Sequence, residues 1–312
     1  MKQFDFLKHS KIYYIISAAI VLVTIVVTVV MGLNVDIEFK GGSVATYSFE
    51  GEIKTSDVEA LVKKTIGFSA KARISEAIAD NSKNVVVSIA EEVSSDQQIK
   101  MTSALEKEFK DNKLALVESS SVNAMMGRNF FVKCLIAVAF AALLMGVYIA
   151  FRFKNIGGWT AGATAVIALV HDLIVCFAVY AIFRIEIGGN FMAVMLTILG
   201  YSINDTIVVF DRVRENKNNF GKKLSVADNV TLSLNQSTQR AINTTATTLM
   251  ALTVVVIVCL IYNIDSMFNF VFPMAVGLIS GVYSSMFLAP CIWVKWEEKL
   301  ASKNGPRKKR IR

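Results

Sequence analysis

Five stretches of this chain carry no charged residue: 12–35, 134–151, 187–204, 241–264 and 266–294. A sixth, 156–183, is interrupted only by His171 and Asp172. A helix rising ~1.5 Å per residue needs ~20 apolar residues to cross ~30 Å of hydrocarbon. All six stretches meet that requirement, the second at its short end. None alternates with period two, as the strands of a membrane barrel would. The pattern predicts a polytopic α-helical membrane protein with six transmembrane helices, at 12–33, 131–151, 156–183, 187–210, 240–263 and 268–294.

Charge sets the expected orientation. The net charge is +8, a value that also suits nucleic-acid binding, but its distribution argues against that reading. Basic residues crowd the N-terminus (Lys2, Lys8, Lys11), Arg152 and Lys154, the loop 211–239 (Arg212, Arg214, Lys217, Lys222, Lys223) and the tail 295–312. The remaining short loops are nearly neutral, with Arg184 beside Glu186 and Asp265 alone. This is the positive-inside pattern, and it places both termini, 1–11 and 295–312, in the cytosol. The segment 307–310 reads as a topological anchor near anionic lipid. The insert 34–128 then lies outside. The first span is read as an uncleaved anchor, because its apolar run is too long for a signal peptide and no small-residue cleavage site follows. Cys134, Cys176, Cys259 and Cys291 all fall in or at the edge of spans without CxxC spacing, and read as free thiols.

The insert has its own rhythm. Val44, Thr46, Ser48 and Phe49 fit a strand. Ser56 with Glu59 reads as a capping box before a helix carrying Val58, Leu61 and Val62. Ala72, Ile74 and Ile78 suggest a second strand, 81–84 a turn, and Val85, Val86, Val87 and Ile89 a third strand. Ser95 with Gln98 reads as a second cap, before a helix with Ile99, Leu105 and Phe109; Leu114, Leu116 and Val117 close with a strand. The order β-α-β-β-α-β predicts an α+β ferredoxin-like extracytoplasmic domain between the first two spans. It contains no His or Cys, and its carboxylates are scattered. A binding or moving module is expected there, not an enzyme site. Gly41 and Gly42, which join it to the first span, permit positive φ; an ordinary linker and a hinge are both compatible with them.

Ionisable groups inside spans are costly and need a reason. Asp205 lies about four-fifths of the way through the fourth span. Burial penalises its charged form, and a neighbouring cation opposes that penalty. A carboxyl balanced between the two can load and release a proton. Arg240, at the start of the fifth span, is its candidate partner by position; a snorkelling interfacial arginine is the alternative. Ser202 and Asn204 are candidates to bond Asp205 or hold water near it, and Thr244, with Asn243 and Thr248, gives the fifth span a polar stripe. His171 and Asp172 point about 100° apart on a helix, so no tight pair is expected between them; a packing node and a supporting part of the relay are both open. They offer too few ligands for a metal. Gly158-x-x-x-Gly162 and Gly277-x-x-x-Gly281 have the spacing for close helix approach.

Several blocks together resemble the SecF family of bacterial protein-translocase subunits, within the resistance-nodulation-division superfamily. They are Phe39-Lys40-Gly41-Gly42; Leu169-Val170-His171-Asp172; Gly200-Tyr201-Ser202-Ile203-Asn204-Asp205-Thr206 and its continuation to Glu215; Asn235-Gln236-Ser237-Thr238-Gln239-Arg240 and on to Thr244; and Gly281-Val282-Tyr283-Ser284-Ser285. Two local departures are Ala241 and Ala289-Pro290-Cys291. The resemblance implies a non-enzymatic accessory subunit of protein export in the cytoplasmic membrane, driven by the proton-motive force. Its implied partners are SecD, the SecYEG channel, YajC and translocating unfolded polypeptide, with no cofactor, metal or nucleic acid. It also implies that Asp205 and Arg240 belong to a proton pathway completed by SecD. Rival readings are a half-transporter for small molecules or lipids and a passive membrane scaffold.

Overall fold

The computed structural model describes residues 5–76, 83–262 and 264–304. Ile78, Asn81, Ser82 and the basic segment 307–310 lie outside the described residues. Among the described residues six helices are long and apolar enough to cross a membrane: Leu7–Met31, Ala124–Arg152, Gly158–Ile182, Gly189–Phe220, Val226–Tyr262 and Asp265–Lys303. The chain is a multi-pass membrane protein. The first span is α1 (Ser10–Met31), and a short α2 (Ile37–Lys40) follows it.

Between α2 and the second span, the chain forms β1 (Gly42–Phe49), α3 (Thr55–Ile66), β2 (Ala70–Glu76), β3 (Lys83–Ile89), α4 (Ser95–Glu108) and β4 (Ala115–Val122). The strands make one antiparallel sheet in the order β2-β3-β1-β4. Alternation along the strands explains its core. Ala45, Tyr47 and Phe49 of β1 and Val85, Val87 and Ile89 of β3 turn to one face, where Val58, Val62, Met101 and Leu105 of the two helices cover them. Tyr47 donates or accepts with Thr102 Oγ1 at 3.1 Å; burial pushes its phenol up, and Thr102 opposes this.

Local signals at the helix starts shift from their sequence positions. The α3 N-cap is Lys54, without a side-chain cap; Ser56 instead donates to Asp57, and Glu59 accepts from the Ala72 backbone at 2.8 Å. The α4 capping box is Ser94 with Gln97, one residue earlier than expected. Val93 decides the register: its side chain is buried and its N–H donates to Ser43 Oγ at 2.8 Å, so the chain must turn into the helix immediately afterwards.

The remaining spans are α5 (Ala124–Arg152), α6 (Gly158–Ile182), α7 (Gly189–Phe220), α8 (Val226–Tyr262), α9 (Asp265–Tyr283) and α10 (Ala289–Asn304), the last two joined by a π-helical turn, Ser284–Leu288. The segment 211–239 is mostly helical, since α7 runs to Phe220 and α8 starts at Val226. Polar contacts hold these extensions together: Asn216 Nδ2 donates to Ser233 Oγ and Gln236 Oε1, both at 2.8 Å, and Asn229 Nδ2 donates to the Val213 carbonyl. Both small-xxx-small pairs pack helices. A Cβ on Gly158 would run into the Ala150 carbonyl of α5, and one on Gly277 into Ile198 of α7. The helices are unevenly covered: 56% of the apolar window of α6 and of α7 is buried, but only 11% in α1 and α8. The last two therefore present most of their surface to lipid or to another chain.

Candidate functional site

Close approach of α9 to α7 builds the polar centre. Gly277 and Gly281 remove the side chains that would hold the helices apart; a Cβ on Gly281 would sit 3.2 Å from Ser202 Cβ. The serines beside that seam then converge on α6. Asp172, fully buried, accepts from Ser202 Oγ, Ser280 Oγ and Ser284 Oγ, each at 2.6 Å. Hydrogen bonds to an ionised acceptor are worth ~1.5–3 kcal/mol each. His171 Nδ1 lies 3.3 Å from Asp172 Oδ1. The two neighbours thus do meet, contrary to the helical-wheel expectation; Ser280, which donates to Asp172 Oδ1, also lies 3.5 Å from His171 Nδ1.

The seam continues one turn along α7. Thr206 Oγ1 pairs with Ser285 Oγ at 2.8 Å, and Ser285 donates to the Ser202 carbonyl. The π-helical turn lets successive residues Ser284 and Ser285 face different partners on α6 and α7; such single-turn π segments are frequent at functional sites.

Asp205 has the opposite character. It is 5% exposed, and its Oδ2 has no hydrogen-bond partner among the described residues. Arg240 lies within electrostatic reach of the carboxyl, yet among the described ion pairs none joins them. Arg240 is exposed, as are Asn204, Asn243 and Thr244. Ser202, expected to serve Asp205, is engaged by Asp172. No described hydrogen bond links Asn204 or the Thr244 side chain to Asp205; the α7–α8 contact there runs through Tyr201, whose hydroxyl meets Thr248 Oγ1 at 3.2 Å. The Thr245 hydroxyl, one position from the expected stripe, is buried without a described partner. Asp205 therefore sits just beneath an exposed polar lip formed by α7 and α8.

The joint to the sheet is tight. Gly41 and Gly42 have φ of +81° and +123°. A Cβ on Gly41 would strike the Ala124 backbone of α5, and one on Gly42 would lie 2.5 Å from the Ile89 carbonyl. Phe39 packs against Phe131 with tilted rings whose centroids are 4.9 Å apart, while Glu38 accepts from the Gly189 N–H at 2.6 Å, at the N-terminus of α7. The glycines thus have a packing reason at this position. Sequence reasoning did not single out Glu38, Ser280 or the role of Ser284. Glu38 had no visible signal; the two serines stood four residues apart in an apolar span, the spacing of one helical face. No group of three or more His, Cys, Asp or Glu side chains suited to a metal occurs among the described residues.

Comparison with known proteins agrees with this architecture. Residues 100–299 match the family model for the C-terminal part of the protein export membrane proteins SecD/SecF. The protein translocase subunit SecF of Alicyclobacillus acidocaldarius is 31% identical over 96% of this chain and 95% of its own length. The subunit SecDF of Bacillus subtilis is 30% identical over 97% of this chain, which covers 40% of that longer protein. The crystal structure of SecDF from Thermus thermophilus, a translocon-associated membrane protein, superposes with a TM-score of 0.79 at 26% identity; it matches 95% of this chain, which spans 39% of that one.

Proposed function

The chain belongs to the SecD/SecF family of protein-export membrane proteins, as a SecF-type member, and from that premise we propose that it couples the proton-motive force to polypeptide release. It is an accessory subunit of the Sec translocase. In this reading the spans cross the cytoplasmic membrane with both termini in the cytosol, and the βαββαβ unit is a ferredoxin-like domain on the outer side. SecD supplies the other half of the membrane assembly, covering the polar lip of α7 and α8. The SecYEG channel, YajC and emerging unfolded polypeptide are further partners.

The observation that carries the reading is the buried carboxylate of Asp205 beneath that lip, its Oδ2 without a described partner and Arg240 in electrostatic reach. A proton arriving through the lip neutralises Asp205 and releases it from Arg240; departure restores the attraction. One charge crossing 100 mV yields ~2.3 kcal/mol, enough to bias two arrangements of a domain by more than tenfold. The domain moves about α2 and the Gly41–Gly42 joint.

The test is made in vesicles holding this chain, its SecD partner and the channel. Imposing a proton gradient accelerates release of exported polypeptide. A gradient-driven flux of small molecules through this chain without the partner would favour a half-transporter instead.

A further inference from the structure

Asp172 is surrounded by hydroxyl donors, an arrangement suited to an anion, yet charge has to be balanced. Among the described residues no Lys or Arg lies within 4 Å of it, and His171 is the neighbouring group able to carry positive charge. His171 is 6% exposed, its Nε2 has no described partner, and it lines a groove of about 500 Å³ between α1 and α6, alongside Ser17, Val21 and Ile25 of α1.

Tyr283 stands beside the His171 ring, with centroids 5.7 Å apart. Its hydroxyl donates to the Tyr13 carbonyl at 2.7 Å and lies 3.2 Å from Ser17 Oγ, both on α1. The next residue, Ser284, donates to Asp172. Two consecutive residues therefore touch the carboxylate on one side and α1 on the other, and α1 leads directly to α2 and the sheet.

We propose that His171 and Asp172 form a second proton-carrying site, separate from Asp205 and Arg240, and that Tyr283 passes its state to α1. In the loaded form Nε2 has taken a proton and the Nδ1–H donates to Asp172 Oδ1, giving an imidazolium–carboxylate pair. In the unloaded form Nε2 is bare and the ring is neutral, its remaining Nδ1–H still donating to Asp172 Oδ1 beside the serine hydroxyls. The change alters the pull on Ser280 and the π-helical turn, and Tyr283 moves with it. The titratable groups facing His171 are Asp172 on its own helix and Tyr283 of α9, with Tyr13 of α1 behind Tyr283; α7 contributes the neutral Ser202. The link to export rests on the proton-driven reading above, but protonation of the site does not.

The chain has two histidines, His9 and His171. In a His9→Gln chain carrying ¹⁵N-imidazole label, reconstituted in nanodiscs with unlabelled SecD partner, the imidazole signal belongs to His171. The signal is expected to change between protonated and neutral forms as the pH of the sample is varied. Asp172→Asn displaces that transition by at least tenfold in proton concentration; Ser280→Ala, which removes a hydroxyl touching both groups, displaces it too and serves if the first variant does not fold. A single protonation state throughout, or a transition unmoved by these changes, overturns the site. Tyr283→Phe leaves the transition in place while gradient-dependent export falls at least fivefold; undiminished export overturns the relay through Tyr283. Because the NMR signal needs no export, failure of the site and failure of the proton-driven reading are separately visible.

Discussion

Ser202 donates to Asp172 at 2.6 Å across the α6–α7 interface, while Asp205, three residues along the same helix, keeps a buried oxygen without a described partner. One membrane carboxylate is saturated with donors and the other is left incomplete. Their replacements are expected to behave differently.

Asp172→Ala strands three buried hydroxyls at once. An unsatisfied buried group costs ~1–3 kcal/mol, so the variant loses several kcal/mol of stability and folds in low yield. Asp205→Asn keeps shape and polarity and stays within about 1 kcal/mol of the parent. Denaturant unfolding of the purified chains in detergent measures both; equal losses would contradict the cage of three hydroxyl donors around Asp172.

Gly277→Ala places a methyl group where Ile198 already sits. Overpacking of this kind costs ~1–3 kcal/mol. Adding Ile198→Ala to the same chain makes room and recovers part of the loss. A double-mutant cycle on unfolding free energies reads the coupling; strict additivity would show that α7 and α9 do not meet at this point.

Much of this arrangement was readable from sequence, and the reasons for the rest are physical. Long apolar runs are enforced by hydrocarbon, so each of the six stretches, including the one interrupted by His171 and Asp172, corresponds to an apolar helix. Strand alternation in Val85–Ile89 and helical spacing of Val58 and Val62 reflect one-sided burial, which is also local. The Asp172 cage is not local: its donors come from positions 202, 280 and 284, and only packing at Gly281 brings them together. The helical extensions through 211–239 were hidden because Asn216, Asn229 and Ser233 look like loop residues until they pair with each other. Position alone made Ser202 look like a companion of Asp205; in three dimensions its hydroxyl donates to Asp172.

Gly41→Ala meets two obstacles, a positive φ and the Ala124 backbone. Strained backbone costs ~1–3 kcal/mol, so the joint between α2 and β1 loosens. Limited proteolysis should cut the variant near residues 40–43 several times faster than the parent. Unchanged cleavage would show that the joint does not depend on this contact.

Thr244 is exposed on α8, on the lip assigned to the partner half. In a Cys134→Ser background, Thr244→Cys reacts readily with a membrane-permeant maleimide when the chain is alone, and at least tenfold more slowly after assembly with SecD. Equal labelling in both states would move the partner to another face.

The most direct measurement is gradient-driven export by the Asp205→Asn chain, assembled with its SecD partner and the channel in proton-loaded vesicles. The asparagine cannot exchange a proton, so the account predicts a folded, assembled complex whose polypeptide release no longer responds to the gradient. A variant that retains the full gradient-dependent acceleration would contradict it.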